Sequence, residues 1–191
     1  MNVSKITALY DACLLYSAPL RDLLMHLALT DLFYAKWTDA IHDEWIQNVR
    51  KDRPELPLAQ LERTRQLMNV HVLDCLVTGY EGLIPSLVLP DADDRHVLAA
   101  AIHAGASSIV TFNLKDFPAE TLRAHGIEAI HPDEFVVSLF QSEPLVVCAA
   151  VNRQRANLKN PPKSVAEFLD TLERHGLPKT VALLRQFADD L

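Results

Sequence analysis

Apolar residues recur at helical spacing in several blocks along the chain, separated by short β-branched runs. After Pro19, the positions Leu20, Leu23, Leu24 and Leu27 fall on one face and predict a helix through Leu29, with the proline suited to its first turn. Trp37, Ile41, Trp45 and Val49 recur every four residues behind Thr38, a favoured N-cap, and predict a second helix ending near Arg50. A charged, proline-broken loop at 51–57 leads into a third helix over 58–67, with Arg63 and Arg65 exposed. Three other runs have strand character: ITALY at 6–10, SSIVTF at 107–112 and IEAI at 127–130. Between them, 119–125 reads as a short helix closed by Gly126, and PDEF opens a helix through Phe140. The stretch 72–89 holds Gly79, Gly82 and Pro85 without a sustained period and reads as irregular, with short strand or helix pieces. Strands alternating with helices predict an α/β fold whose mostly parallel central sheet is covered by helices on both faces.

The pattern changes at Ser142-Glu143-Pro144. No acid occurs between Glu143 and Glu167, but Arg153, Arg155, Lys159 and Lys163 do. Asn160-Pro161-Pro162 breaks a helix, and Ser164 with Glu167 forms a capping box for the next. Pro178 starts a last helix. Two apolar stripes follow, Val165, Phe168, Leu169 and Leu172, then Val181, Leu184 and Phe187, and both must bury against something. The reading is a domain over 1–143 and a small C-terminal helical extension over 144–191.

Composition narrows the class. At 191 residues, 49% hydrophobic and 23% charged, the chain suits one soluble domain plus an appendage. No apolar run approaches the roughly 18 residues of a membrane span, and MNVSKIT lacks a signal-peptide core, so a cytoplasmic protein with no membrane partner is expected. Cys13, Cys75 and Cys148 are odd in number and widely spaced, which indicates neither disulfides nor a zinc site. The eight histidines show no ligand spacing, and most are expected at the surface or at helix ends. A net charge of −7 argues against gripping nucleic acid over the whole surface, though a local basic strip is compatible with it.

The candidate chemistry centres on PDADDRHVLAAAIHAGASSIVTFNLKDFP, residues 90–118. Asp91 can cap a helix whose first turn holds Asp93 and Asp94. Asp94 aligns with Val97, Leu98 and Ala101 on the apolar face, Asp93 lies on the flank, and His96 points to the opposite side. Asp11 follows the first strand. Glu44 lies about 60° from Ile41 on its helix, at the shoulder of the apolar stripe, whereas Asp39 and Asp43 face solvent. Each acid alone has an ordinary explanation as a cap, a turn residue or a surface carboxylate.

Jointly, Asp11, Glu44, Asp94 and Asp116 come from four elements, with Thr111 and Asn113 in the loop of Asp116. Brought to one rim they would repel unless a cation lay between them. Carboxylate oxygens without His or Cys suit Mg²⁺ or Mn²⁺, and the matching chemistry is in-line attack of water on a phosphodiester. No Gly-rich phosphate loop or nucleophile-elbow motif occurs.

Asp11 after the first strand, Glu44 on a helix, DRHVLAAA from Asp94 and TFNLKDF from Thr111 resemble the PIN domain family over residues 6 to 140. That resemblance implies a PIN-like fold and a metal-dependent endoribonuclease of the VapC type, the toxin of a toxin–antitoxin pair. It makes Asp11, Glu44, Asp94 and Asp116 the catalytic, metal-binding acids, with Thr111, Asn113 and Asp93 in support and Mg²⁺ or Mn²⁺ as cofactor. It also implies an RNA substrate, a cognate antitoxin and a homodimer. Two positions depart from the family pattern: Cys13 stands where a small polar residue is common, and Asn113 where some members carry a further Asp. Arg153, Arg155, Lys159 and Lys163 are candidates for RNA or partner contact, with a solvated helix end as the plain alternative. Two other readings stand beside the nuclease. One is a PIN-shaped RNA- or protein-binding module without catalysis. The other is a receiver-type phosphoacceptor domain using Asp93, Asp94, Thr111 and Lys115, though its elements would come in the wrong order.

Overall fold

A computed structural model describes residues 5–191 and divides them into two compact units. The leader reading of MNVSKIT falls in part outside the described residues. The first unit comprises Met1–Tyr16 and Phe33–Ile130, and the second Ser17–Leu32 and His131–Leu191. The fold is α/β, as the alternation of periods predicts.

In the first unit, β1 (Thr7–Tyr10), β2 (Tyr34–Lys36), β3 (Ser108–Val110) and β4 (Glu128–Ile130) form one parallel sheet in the order β2-β1-β3-β4. β3 is buried at every position, and β1 at all but its first. A strand buried on both sides of its pleat is mostly apolar, which is why ITALY and SIV carry no alternation, with Thr7 and the buried Ser108 as the polar first residues of β1 and β3. From β1 the sheet grows one way to β2 and the other way to β3. The reversal of direction therefore falls between β1 and β3, and the cleft at the carboxyl ends of such a pair is where α/β sheets build sites.

The helices of this unit are α1 (Ala12–Tyr16), α3 (Asp39–Asp52), α4 (Leu58–His71), α5 (Arg95–His103) and α6 (Ala119–Arg123), with α2 (Ala18–Ala28) lying in the second unit. Thr38 caps α3 through the backbone N–H of Ile41, as its sequence position predicts. The stripe Trp37, Ile41, Trp45 and Val49 is buried, and so is His42, against the expectation of a surface histidine. Trp45 Nε1 donates to His42 Nδ1 at 2.9 Å, so the ring proton sits on Nε2 and is donated to Asn69 Oδ1 at 3.0 Å. Asn69 Oδ1 also accepts from Trp37 Nε1 at 2.7 Å. This network carries the link from α3 to Asn69 of α4, and it explains why α4 runs on to His71 rather than stopping at 67. Asp39 and Asp43 do not simply face solvent: both bind the guanidinium of Arg65 on α4. The region 72–89 is irregular apart from a parallel bridge of Leu76 to Trp37 and a short 3₁₀ turn at Glu81–Ser86.

In the second unit, α2, α7 (Pro132–Ser142), α8 (Pro144–Asn157), α9 (Val165–Arg174) and α10 (Pro178–Leu184) bury the stripes that local pattern leaves without a partner. Phe140 and Phe187 meet edge to face at 5.3 Å, and Gln154 Nε2 on α8 donates to the carbonyl of Pro19 at 2.9 Å. The capping box of Ser164 and Glu167 is formed on α9. α10 follows Leu177, which offers no side-chain cap. The buried carboxylate of Asp133, on α7, takes that role by accepting from the backbone N–H groups of Lys179 (2.9 Å) and Thr180 (2.8 Å).

Candidate functional site

The end of β1 and the end of β3 are tied to each other. Asp11 N–H donates to the carbonyl of Val110 at 3.1 Å, which sets Asp11 and Thr111 side by side in the cleft where the sheet changes direction. Asp11 is 3% exposed, and both of its carboxylate oxygens are engaged. Oδ1 accepts from the backbone N–H of Ala12 at 2.7 Å. Oδ2 accepts from Thr111 Oγ1 at 2.6 Å and from the Cys13 thiol at 3.1 Å. Thr111 Oγ1 in turn accepts from the N–H of Asn113 at 2.9 Å, which fixes its rotor toward Asp11. Burial raises the pKa of Asp11. The Thr111 and Cys13 donors work against that rise, and the nearby charge of Glu44 adds to it.

Cys13 stands where the family pattern has a small polar residue, and here it does polar work. Its thiol is pushed up to about 12 by burial and by the Asp11 charge, so it acts as a protonated donor rather than a nucleophile.

Asp94 sits at the N-cap position of α5 but makes no side-chain capping bond, which corrects the reading of Asp91 as cap with Asp94 in the first turn. Asp91 Oδ1 instead accepts from the N–H of Asp93 in the turn before the helix. The Asp94 carboxyl is raised to about 7, first by burial and then by Asp11, Asp91, Asp116 and Glu44. Four carboxylates, three of them distant in sequence, thus act on this one group. Asp91 joins the field although its sequence position suggests only a capping role; the signal for it is its place in a loop entering the same helix. Asp116 lies half-buried on a 3₁₀ turn, Leu114–Asp116, after β3. Asp93 and Asn113 join the cluster through their backbone N–H groups, to Asp91 and Thr111, and no bond of either side chain to it is present among the described residues.

His96 is a second correction. Rather than pointing away, its Nε2 lies 3.5 Å from Glu44 Oε2, with its side chain 19% exposed against 43% for Glu44. The wheel places His96 opposite the apolar stripe of its own helix, but α3 supplies a neighbour there.

Among the described residues, no three His, Cys, Asp or Glu side chains converge tightly enough to close around a metal ion as they stand. The donor set is nonetheless that of a hard cation: oxygen ligands in mutual repulsion, which a divalent charge would relieve.

Of the four basic residues at 153–163, two bind other segments of the second unit, whereas Arg153 Nε donates to the Ala149 carbonyl one turn back on α8, at 3.3 Å. Arg155 donates to the carbonyls of Leu191 (2.8 Å) and Lys163 (3.2 Å), and Lys163 Nζ donates to Thr171 Oγ1 at 2.8 Å. Arg153 and Lys159 are exposed.

The PIN domain family matches residues 7–115, more than half of the chain and the whole stretch from β1 to the loop carrying Thr111. The chain belongs to the PIN domain family. A second family, the VapC50 C-terminal domain, matches residues 132–186, which contain every helix of the second unit except α2. A protein of Mycobacterium tuberculosis (strain ATCC 25618 / H37Rv) named "Putative ribonuclease VapC50" is 48% identical over 59 residues. That stretch covers 31% of this chain and 34% of the relative, so the match spans about a third of the relative's length. No solved structure matches the chain significantly. As a PIN domain, the first unit has its acids where the sheet topology alone would put a site.

Proposed function

We propose that this PIN domain is a divalent-metal-dependent endoribonuclease in which Asp11, Glu44, Asp94 and Asp116 hold Mg²⁺ or Mn²⁺. The observation that carries the reading is the Asp94 carboxyl, held at about 7 among the carboxylates of Asp11, Asp91, Asp116 and Glu44 beside the sheet's switch point. Such crowding destabilises a metal-free protein, and natural sites keep it where a cation is to be bound. A divalent ion held there would neutralise charge on a phosphodiester and lower the pKa of an attacking water. The chain's own contribution is placement. Thr111 and Cys13 hold Asp11 Oδ2, Ala12 N–H holds Oδ1, and Asp94 in its protonated form can give a proton or in its ionised form receive one. The similarity to a protein named as a ribonuclease favours RNA over other phosphodiesters. The family resemblance adds a cytoplasmic toxin role with a cognate antitoxin and a homodimer.

The test is incubation of the purified protein with total RNA, with and without Mg²⁺ or Mn²⁺, followed by mapping of new ends. Metal-dependent cuts that disappear in Asp94→Asn support the reading, and cutting by Asp94→Asn at the wild-type rate sinks it. A PIN-shaped RNA- or protein-binding module is the second reading, favoured by the open spacing of the acids among the described residues. RNA bound but intact in the presence of Mn²⁺ selects that module instead.

A further inference from the structure

We infer that His96 is a positioning residue, which holds Glu44 over the carboxylate cluster and makes no contact with substrate. The inference rests on the reading of that cluster as the metal site.

Glu44 is the longest and most flexible of the four acidic side chains. It leaves α3 at the shoulder of the buried stripe and is 43% exposed, and its three side-chain torsions would otherwise be free. Ordering such a chain costs rotamer entropy, so a carboxylate meant to ligate needs a local restraint. Asp11 has three donors for this purpose. Among the described residues, the side chain paired with Glu44 is His96.

The His96 ring suits the task. It is 19% exposed, and its Nδ1 is buried with no hydrogen-bond partner among the described residues. A buried N–H without an acceptor costs more than a bare ring nitrogen, so the proton belongs on Nε2, the atom that faces Glu44 Oε2 at 3.5 Å. His96 also belongs to α5, whose N-cap is Asp94. The pair therefore links Glu44 of α3 to the helix that Asp94 begins. Outer-shell partners of this kind orient ligating carboxylates and are felt in metal affinity.

The experiment is calorimetric titration of the full chain with Mn²⁺ alone. The variants are His96→Met and His96→Leu, which fill the space without a donor, His96→Gln, which keeps an N–H near the Nε2 position, and Glu44→Gln. The donor-less variants should bind Mn²⁺ roughly 10-fold more weakly, with His96→Gln within about threefold of wild type. In the Glu44→Gln background, His96→Met should add no further loss, because its effect passes through Glu44. Wild-type affinity in His96→Met and His96→Leu, or a loss that persists undiminished in the Glu44→Gln background, overturns the inference. If Glu44→Gln and Asp94→Asn weaken binding while the His96 variants do not, this inference fails and the metal site stands. If the folded wild type takes up no Mn²⁺, both fail together.

Discussion

Thr111 Oγ1 donates to Asp11 Oδ2 at 2.6 Å across 100 positions of sequence. The bond joins the ends of β1 and β3 and holds the most deeply buried acid of the site. Because the hydroxyl stabilises the ionised carboxylate, removing it must raise the pKa of Asp11 further above its ordinary value. Thr111→Val keeps the branched shape and loses the donor. RNA cleavage by this variant should fall at neutral pH and recover in part at higher pH, shifting the acid limb of the rate profile upward. A parallel drop at all pH values would show that Thr111 acts in some other way.

The crowding at Asp94 makes a prediction about the metal-free protein. A carboxyl raised to about 7 in the folded state, against an ordinary value near 4, destabilises the fold as it ionises. The penalty is absent at low pH, grows as pH rises through the window from about 4 to 7, and is complete above it. Asp94 is only half-buried, so solvent screening reduces the effect. Asp94→Asn in EDTA should therefore be more stable than wild type by about 1 kcal/mol at pH 8 and equal to it near pH 4. Thermal unfolding at both pH values checks this, and a lower melting temperature for the variant at pH 8 would contradict it.

The buried ring of His42 acts in the opposite sense. Burial lowers its pKa, Asn69 opposes the shift, and the Arg65 charge adds to it. A second proton would also meet the Trp45 N–H, which already points at Nδ1. With the folded pKa below an unfolded value near 6.5, the unfolded chain binds more protons in the window between them. Stability is thus fully present above about 6.5 and is lost as pH falls below it. Urea unfolding between pH 7.5 and 5 should show this slope, and His42→Gln should flatten it at a cost in stability at neutral pH. His175, also depressed by burial, contributes in the same direction, so the difference between the two proteins is the quantity to read.

Asp133 is expected to carry more stability than any surface acid of the second unit. Asp133→Ala would strip the acceptor from two N–H groups at the start of α10. The loss should be about 2–3 kcal/mol in denaturant unfolding. A loss under about 0.5 kcal/mol would mean that water replaces the cap without penalty.

For the basic window, the structure separates two classes of residue. Arg155→Ser should lower stability, because its guanidinium holds the carbonyls of Leu191 and Lys163. Arg153→Ser with Lys159→Ser should leave stability alone. If the exposed pair meets RNA, that double variant should weaken binding and flatten its dependence on salt, by about one unit of slope for each phosphate no longer neutralised. An unchanged salt slope assigns this stretch to the fold or to a protein partner.

Much of this protein is determined by the sequence itself. Helical periodicity places α2 and α3, the Ser164–Glu167 spacing produces its capping box, and three apolar runs become β1, β3 and β4. Asp11 and Asp116 follow strands and Asp94 starts a helix, places where a chain with local periodicity must turn polar, whereas Glu44 is picked out inside α3 by its place at the shoulder of the apolar stripe. Local pattern also has firm limits. Three-residue β2 carries too few positions for a period to show, and α1 is too short for an amphipathic stripe. The partner of a side chain on another element is invisible to a helical wheel, which knows only its own axis. That is why the wheel turns His96 away from the site, why His42 reads as a surface residue, and why Asp133 gives no sign of capping α10. Only the folded chain supplies those partners, because each joins residues whose separation in sequence holds no information about their distance in space.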